Sequence, residues 1–311
     1  MTFLRFIPET TNVDFVKYRY LAFGLDGLLL VLSVVSIFLH GFALGIDFTG
    51  GVMLEVRAQK TIDIGQVRRQ VDALRFGEAQ IQYAGGGQCA TPVNSCVLIR
   101  VQPRAGQSGS EVPQQVMARL GPGFTQRNAD VIGAKISREL FWSGVWATIL
   151  AVAMISIYVA VRFEWQYGLA ALVATGHDVF VTAGFFSLTQ IEFSINTVAA
   201  LLLLAGYSIN DTVVVFDRIR ENRRKYKRMS LYDMINLSTN QIATRTTLVS
   251  AATALSVIPL LFGGPVLFNF SAAILFGIVV GTFSSTYVAA ALLLYLPPIG
   301  GQVPAAEAAT T

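Results

Sequence analysis

The chain has 311 residues, of which 53% are hydrophobic and only 14% are charged, and its net charge is +4. Because an ordinary soluble domain carries about 25% charged residues, this composition excludes a typical soluble enzyme. Two cysteines and two histidines are too few for a zinc ribbon or a disulfide-rich scaffold, so the sequence predicts no metal and no bound cofactor.

Long apolar runs predict six membrane-spanning helices, because about 20 apolar residues cross the hydrocarbon core of a bilayer. The first is predicted at residues 20–44, and the other five lie within 140–296. The fifth apolar run, 248–262, is too short to span alone, so its helix is predicted to begin near Ala243, which draws Arg245 to membrane depth.

The segment between the first two spans, residues 45–139, is predicted to be a compact α+β domain. Alternating polarity predicts the strand at 52–57, and apolar residues at helical spacing predict the helix at 63–74. The strands are expected at 52–57, 79–83, 96–101 and 125–132, and the helices at 63–74 and 111–120. The order β-α-β-β-α-β predicts a ferredoxin-like fold.

A glycine-rich turn at 85–88 precedes the only two cysteines of the chain, Cys89 and Cys96. In an oxidising compartment the two thiols can close a small disulfide loop. The alternative of two unpaired thiols stays open, because sequence spacing does not fix the distance between two Cα atoms.

The distribution of lysine and arginine predicts that both termini are cytoplasmic and that residues 45–139 lie on the outer side. Residues 217–247, predicted as a cytoplasmic loop, are rich in arginine and lysine, whereas the short outer loops at 189–192 and 263–268 carry neither. This basic loop is expected to set the topology and to contact anionic lipid of the bilayer rather than nucleic acid. Residues 1–19 are predicted as a cytoplasmic N-terminal segment, and residues 297–311 as a disordered cytoplasmic tail.

Ionisable residues within the predicted spans need an explanation, because each charge there costs at least about 2.5 kcal/mol. Asp211 lies six residues before Asp217, about 9 Å deeper along the helix. Our hypothesis is that Asp211 binds and releases protons, with Arg245 as its gating counter-ion. The alternative is a static ion pair that holds two helices together.

Two further aspartates lie in predicted spans. Asp178 follows His177 near the middle of the third span, and it is either a second proton site or a buried hydrogen-bonding residue. Asp26 lies near the inner end of the first span, where we expect it to meet lipid headgroups.

Three stretches closely resemble the SecF family of the bacterial Sec protein-export machinery. They are GIDFTGG at 45–51, His177 with Asp178, and AGYSINDTVVVFDRIREN at 205–222. The resemblance implies a subunit of the resistance-nodulation-division superfamily that pairs with SecD beside the SecYEG channel in the bacterial inner membrane. It also implies that protons are the coupling ion, and that the proton-motive force assists late stages of the translocation of unfolded pre-proteins.

The same resemblance implies roles for individual residues. Asp211, preceded by Asn210, matches the proton-coupling carboxylate of the family, and Arg245 matches its fifth-span arginine. Asp47, Gly50 and Gly51 match the motif where the first span meets the outer domain. The two glycines permit backbone conformations with positive φ, so this motif is a candidate hinge.

Other functions remain open at this point. A rhomboid-type serine protease also has six spans, but it needs G-x-S-G, and here Ser208 precedes Ile209. We therefore expect no hydrolytic active site. Half of a proton-coupled exporter of small molecules or lipids, from the same superfamily, is the main alternative, and a purely structural scaffold is a further one.

Overall fold

The structure is a computed structural model that describes residues 11–76, 79–84, 89, 92–103 and 109–297. Within these ranges the elements follow the chain as α1 (Arg19–His40), α2 (Ile46–Thr49), β1 (Gly51–Ala58), α3 (Ile64–Asp72), β2 (Ala79–Tyr83), β3 (Cys96–Val101), α4 (Val112–Leu120), β4 (Phe124–Ile132), α5 (Ala134–Arg162), α6 (Trp165–Thr189), α7 (Ile195–Lys225), α8 (Leu231–Val257), α9 (Pro265–Ser284) and α10 (Ala290–Leu292). The glycine-rich turn at 85–88, the predicted tail from 298 onward and residues 1–10 lie outside the described residues.

The described helices include six that are long and apolar enough to cross a membrane, which confirms the predicted number of spans. They are α1, α5, α6, α7, α8 with the 3₁₀ turn Ile258–Phe262, and α9, which continues through a π-helical turn at Ser285–Ala289 into α10. Turns of this kind occur often at functional sites.

The domain predicted at residues 45–139, called the outer domain below, has a ferredoxin-like fold, as predicted. Its described strands pair antiparallel in the order β2-β3-β1-β4. Each strand begins and ends within about one residue of the prediction. The side chain of Asp63 accepts a hydrogen bond of 2.8 Å from the Gly65 backbone N–H, and it caps the start of α3.

The two faces of this sheet differ in what covers them. The helices α3 and α4 cover one face, where Val56, Ile99 and Val116 are fully buried in the domain core. Residues with the opposite orientation, such as Glu55 and Arg100, line a cavity of about 450 Å³ between the sheet and the outer ends of the membrane helices. The sheet therefore offers its polar face to the membrane domain.

In the membrane domain, α6 and α7 are central and several of their residues are fully buried. Small side chains bring α1 close to α6, since Ser36 and Ser187 are joined by a hydrogen bond of 2.9 Å between their hydroxyl oxygens. Gly184 faces Ser33 with no room for a side chain. This close approach fixes which residues of α1 meet α6 nearer the start of α1.

Three predicted boundaries are wrong. The segment 217–247 is helical for most of its length rather than a loop, since α7 continues to Lys225 and α8 begins at Leu231. The fifth span therefore begins twelve residues before Ala243 (243 − 231 = 12). The second begins at Ala134 instead of 140. Hydropathy detects the apolar part of a helix only, whereas these helices extend beyond it with charged residues that favour helix.

Candidate functional site

Asp211 is buried within the membrane domain. It lies on the central helix α7 and is 3% exposed. Its Oδ2 atom is buried and has no hydrogen-bond partner among the described residues. A carboxylate oxygen in this environment lacks the donors that stabilise a negative charge. The geometry thus leaves one acceptor position of Asp211 available for a proton or for a movable cation.

Arg245 lies on the neighbouring helix α8, fourteen residues after its start, or about 21 Å along it (245 − 231 = 14). Its side chain is exposed on the surface of the single chain. The described ion pairs do not join it directly to Asp211, although its charge acts on that carboxylate. The static ion pair considered for these two residues is therefore not formed in this conformation.

Asn210 faces away from this buried site. It is exposed, whereas the next residue, Asp211, is buried, because successive residues of a helix point about 100° apart. The structure therefore does not bring Asn210 together with Asp211. An exposed amide at membrane depth is unfavourable against lipid.

Asp178 is fully buried and joins three spans. Its Oδ2 accepts hydrogen bonds from the Ser208 hydroxyl on α7, at 2.5 Å, and from the Ser284 hydroxyl on α9, at 2.8 Å. Its Oδ1 lies 3.3 Å from His177 Nδ1. Ser208, the serine considered for a protease, is fully buried and donates its hydroxyl to this carboxylate. The hydrogen bonds link Asp178 to the helix that carries Asp211.

The expectation for Asp26 is wrong, because this residue is buried rather than at the headgroups. It is 5% exposed, and the backbone carbonyl of Asp26 lies 3.3 Å from His177 Nε2. The close packing of α1 on α6 turns the side chain inward. An acidic residue inside an apolar run was the sequence signal for this site, while nothing in the sequence indicated that Ser284 would join it.

The junction between the first span and the outer domain is tied to the start of α7. The Asp47 Oδ2 atom accepts a hydrogen bond of 2.9 Å from the Ile195 backbone N–H. Gly50 and Gly51 have φ values of 75° and 136°, conformations that favour glycine. A Cβ atom on Gly51 would also lie 2.9 Å from the Val101 carbonyl oxygen. The glycines are therefore required by the backbone at this turn.

Comparison with known families decides the assignment. A family model described as "Protein export membrane protein SecD/SecF, C-terminal" matches residues 113–297, and a second, "SecD/SecF GG Motif", matches residues 35–62. The chain belongs to the SecD/SecF family. This confirms the resemblance seen in the sequence, and the second match covers the Asp47, Gly50 and Gly51 junction.

Relatives of this SecD/SecF family member match over most of their length. The protein translocase subunit SecF of Rhodobacter capsulatus is 37% identical, covering 94% of this chain and 91% of its own. That of Rickettsia prowazekii is 34% identical, covering 93% of both. A crystal structure of SecDF from Thermus thermophilus matches with a TM-score of 0.80 and 34% identity over 93% of this chain. The chain spans only 39% of the length of that SecDF chain.

In this SecD/SecF family member an ion pair fastens the outer domain to the membrane domain. Arg100 of β3 donates from Nη2 to Glu192 Oε2, in the loop between α6 and α7. Asn269 Nδ2, at the start of the last span, donates to the Glu192 carbonyl oxygen at 3.3 Å. Burial raises the pKa of Glu192 above its usual value, the Arg100 charge opposes this shift, and the Asp47 charge adds to it. Sequence analysis missed this pair, because its partners are 92 residues apart.

The two cysteines lie on the polar side of the sheet, next to Glu55. Cys89 and Cys96 are joined as a disulfide in the structure, with their Cα atoms 5.4 Å apart. Glu55 lies beside them, so that one ligand atom from each of these three residues falls within 4.8 Å of the others. Sulfurs bonded to each other do not ligate a metal as thiolates. The redox state of the pair in the protein stays a prediction.

Proposed function

We propose that this chain acts as the SecF-type subunit of the Sec translocase, which pairs with SecD beside the SecYEG channel. In this role it uses the proton-motive force to assist late stages of pre-protein translocation across the bacterial inner membrane. The observation that carries the proposal is the buried carboxylate of Asp211, which has an unpartnered oxygen at membrane depth. The names of the relatives support the export role.

The proposed orientation places both termini in the cytoplasm and the ferredoxin-like domain in the periplasm. The basic residues around Lys225, at the turn between α7 and α8, support this orientation. A disulfide between Cys89 and Cys96 fits the same assignment, because the periplasm is oxidising.

The proton step uses Asp211 and Arg245. When Asp211 is ionised it attracts the guanidinium of Arg245, whose long side chain can reach toward it from the exposed face of α8. When Asp211 takes up a proton this attraction is lost, and α7 and α8 are free to repack. A charge that crosses about 100 mV yields roughly 2.3 kcal/mol, which biases a two-state motion, so moving a whole pre-protein requires repeated cycles.

The helix α7 connects this proton step to the outer domain. Asp211 lies sixteen residues after Ile195 on one continuous helix, a distance of about 24 Å (211 − 195 = 16). Ile195 holds Asp47 at the glycine junction through its backbone N–H. A shift of α7 along or about its axis therefore acts directly on the junction. We propose that the outer domain swings there, at Asp47, Gly50 and Gly51.

Pairing with SecD gives a role to the exposed polar residues at membrane depth. Asn210 and Arg245 are both exposed on the single chain. In the SecDF structures the matching region makes up less than half of the chain, so a second part of that protein is present alongside it. We propose that SecD covers this face and completes the proton path.

The test of the proton role is translocation in inverted membrane vesicles that contain SecD, measured with and without a proton gradient. Asp211→Asn keeps the size of the side chain and removes its charge, and we expect it to abolish the gradient-dependent part. Asp233→Asn on the exposed start of α8 is the matched control and should retain it. Full gradient-dependent translocation by Asp211→Asn would refute the proposal, whereas its loss with intact assembly would also exclude a passive scaffold.

The swing is tested by fixing the outer domain to the membrane domain. Because Arg100 and Glu192 are in direct contact, the double variant Arg100→Cys/Glu192→Cys can be joined by a short, reducible thiol crosslinker. We expect the crosslink to stop gradient-dependent translocation and reduction to restore it, with reductant-treated wild type as the control. Undiminished translocation by the crosslinked protein would rule out the swing.

A further inference from the structure

A second group of ionisable side chains lies between α1 and α6. Both carboxylate oxygens of Asp26 are buried and have no hydrogen-bond partner among the described residues. The Asp26 backbone carbonyl contacts His177 on α6, whereas Asp211 lies on α7. The two groups therefore lie at different places in the membrane domain, and the three family-like stretches do not include Asp26.

His177 occupies an unusual position, because both of its ring nitrogens face acceptors. Nδ1 lies 3.3 Å from the Asp178 Oδ1 atom, and Nε2 lies 3.3 Å from the Asp26 carbonyl oxygen. A carboxylate and a carbonyl oxygen only accept hydrogen bonds. A neutral imidazole has a single N–H and satisfies one of them, whereas the imidazolium ion satisfies both. The geometry thus favours the protonated ring.

The two carboxylates differ in how well the protein stabilises their charge. Asp178 accepts hydrogen bonds from the Ser208 and Ser284 hydroxyls and faces the imidazole, so polar groups surround its carboxylate. Asp26 receives no hydrogen bond from a described residue. Since an isolated carboxylate is costly to bury, neutrality at Asp26 is reached most simply when a proton binds to one of its oxygens.

Among the residues that the structure describes, the contacts that α7 and α9 make with this cluster come from hydroxyl groups. The ionisable groups that act on His177 are Asp26 from α1 and Asp178 from its own helix. Helices α7 and α9 contribute the hydroxyls of Ser208 and Ser284, and α5, which also packs on α6, carries its ionisable side chains toward its two ends. A proton is therefore the natural compensating charge among the described residues.

We propose that Asp26, His177 and Asp178 form a second proton-binding site, in which Asp26 takes the exchangeable proton beside the His177 ring that contacts Asp178. In the uptake step an O–H bond forms on Asp26 from a solvent proton. Because the Asp26 backbone contacts His177, and Asp178 beside it is hydrogen-bonded to Ser208 on α7, a change of charge at Asp26 acts on the helix of Asp211. Only this last use of the proton rests on the proposed export function.

The protonation state of His177 is measurable by nitrogen NMR of the full chain in lipid, purified through a tag that contains no histidine. The chain has two histidines, so His40→Gln leaves His177 as the single signal. We expect two protonated ring nitrogens in this background, and loss of that state in Asp178→Asn, which keeps the shape of the side chain. A single neutral tautomer at every pH would overturn the proposal.

The proton on Asp26 is tested by pH-induced difference infrared spectroscopy of the same reconstituted protein. We expect a protonated-carboxyl band that changes with pH and is missing from Asp26→Asn, and the exposed Asp233→Asn should retain it. If Asp26→Asn left the carboxyl bands unchanged, the site would be refuted. These spectra do not depend on translocation, so they test this site separately from the role of Asp211. Loss of the carboxyl band in Asp26→Asn would support the site even if Asp211→Asn translocated normally.

Discussion

Replacing Arg100 by glutamine is expected to weaken the docking of the outer domain on the membrane domain. The side chains of Arg100 and Glu192 are 15% and 19% exposed, so their ion pair is intermediate between a surface pair and a buried one. Surface pairs contribute about 0–1 kcal/mol, and breaking a fully buried pair costs about 3–5 kcal/mol. We therefore expect a loss of about 1–3 kcal/mol, which changes the ratio of docked to undocked molecules roughly 5- to 150-fold.

Distances between two nitroxide labels provide the assay. One label on the exposed Arg119 of the outer domain and one on Phe262 at the outer end of the fifth span report the two domains separately. Arg100→Gln should broaden the distance distribution and add a longer component. Arg127→Gln is the matched control, because its ion pair with Glu55, at 3.0 Å, lies entirely within the outer domain. Equal effects of both variants, or none, would refute the reasoning.

The pH dependence of docking follows from Glu192. Burial in the docked state raises the pKa of Glu192, so the docked state binds a proton more readily than the undocked state. This contribution to docking is complete below the usual pKa of a glutamate and is lost as the pH rises through the raised value. The docked fraction of wild type should thus fall as the pH rises. The fall should be steeper in Arg100→Gln, and Glu192→Gln should lack the pH dependence that comes from this carboxyl. A docked fraction that rises with pH in wild type would contradict this sign.

Two further predictions concern stability. A Cβ atom on Gly168 would lie 2.8 Å from the Cα of Ala160, whereas nothing lies within 4 Å of one on Gly176 in the same helix. The free energy of unfolding in detergent should therefore be about 1–3 kcal/mol lower for Gly168→Ala than for Gly176→Ala. Equal midpoints of thermal unfolding for the two variants would disprove the tight contact. Replacing Cys89 and Cys96 by serine should lower the free energy of unfolding of the outer domain by about 2.5 kcal/mol, a value set by the short loop that the disulfide closes. Two cysteines that alkylate without reductant would show that no bond forms.

Much of the fold was predictable because the signals are local. Residues 52–57 alternate in polarity, and Asp63 marks the start of a helix, so local signals predicted the order of elements and the ferredoxin-like topology. The boundaries near Lys225 and Leu231 failed for a physical reason. Hydropathy measures how favourably residues transfer into lipid. Charged residues transfer poorly, but in water they continue an α-helix through its backbone hydrogen bonds.

The sequence by itself determined that this is a six-span membrane protein of the SecD/SecF family and that Asp211 is an isolated carboxylate at membrane depth. Both conclusions depend on composition and on a contiguous motif. Only the tertiary structure decided what each charge faces. Asp26 meets His177 because small residues let α1 approach α6, and Arg100 meets Glu192 because the sheet turns its polar face to the membrane. Contacts between residues so distant in sequence are set by the packing of whole elements, which local patterns do not encode.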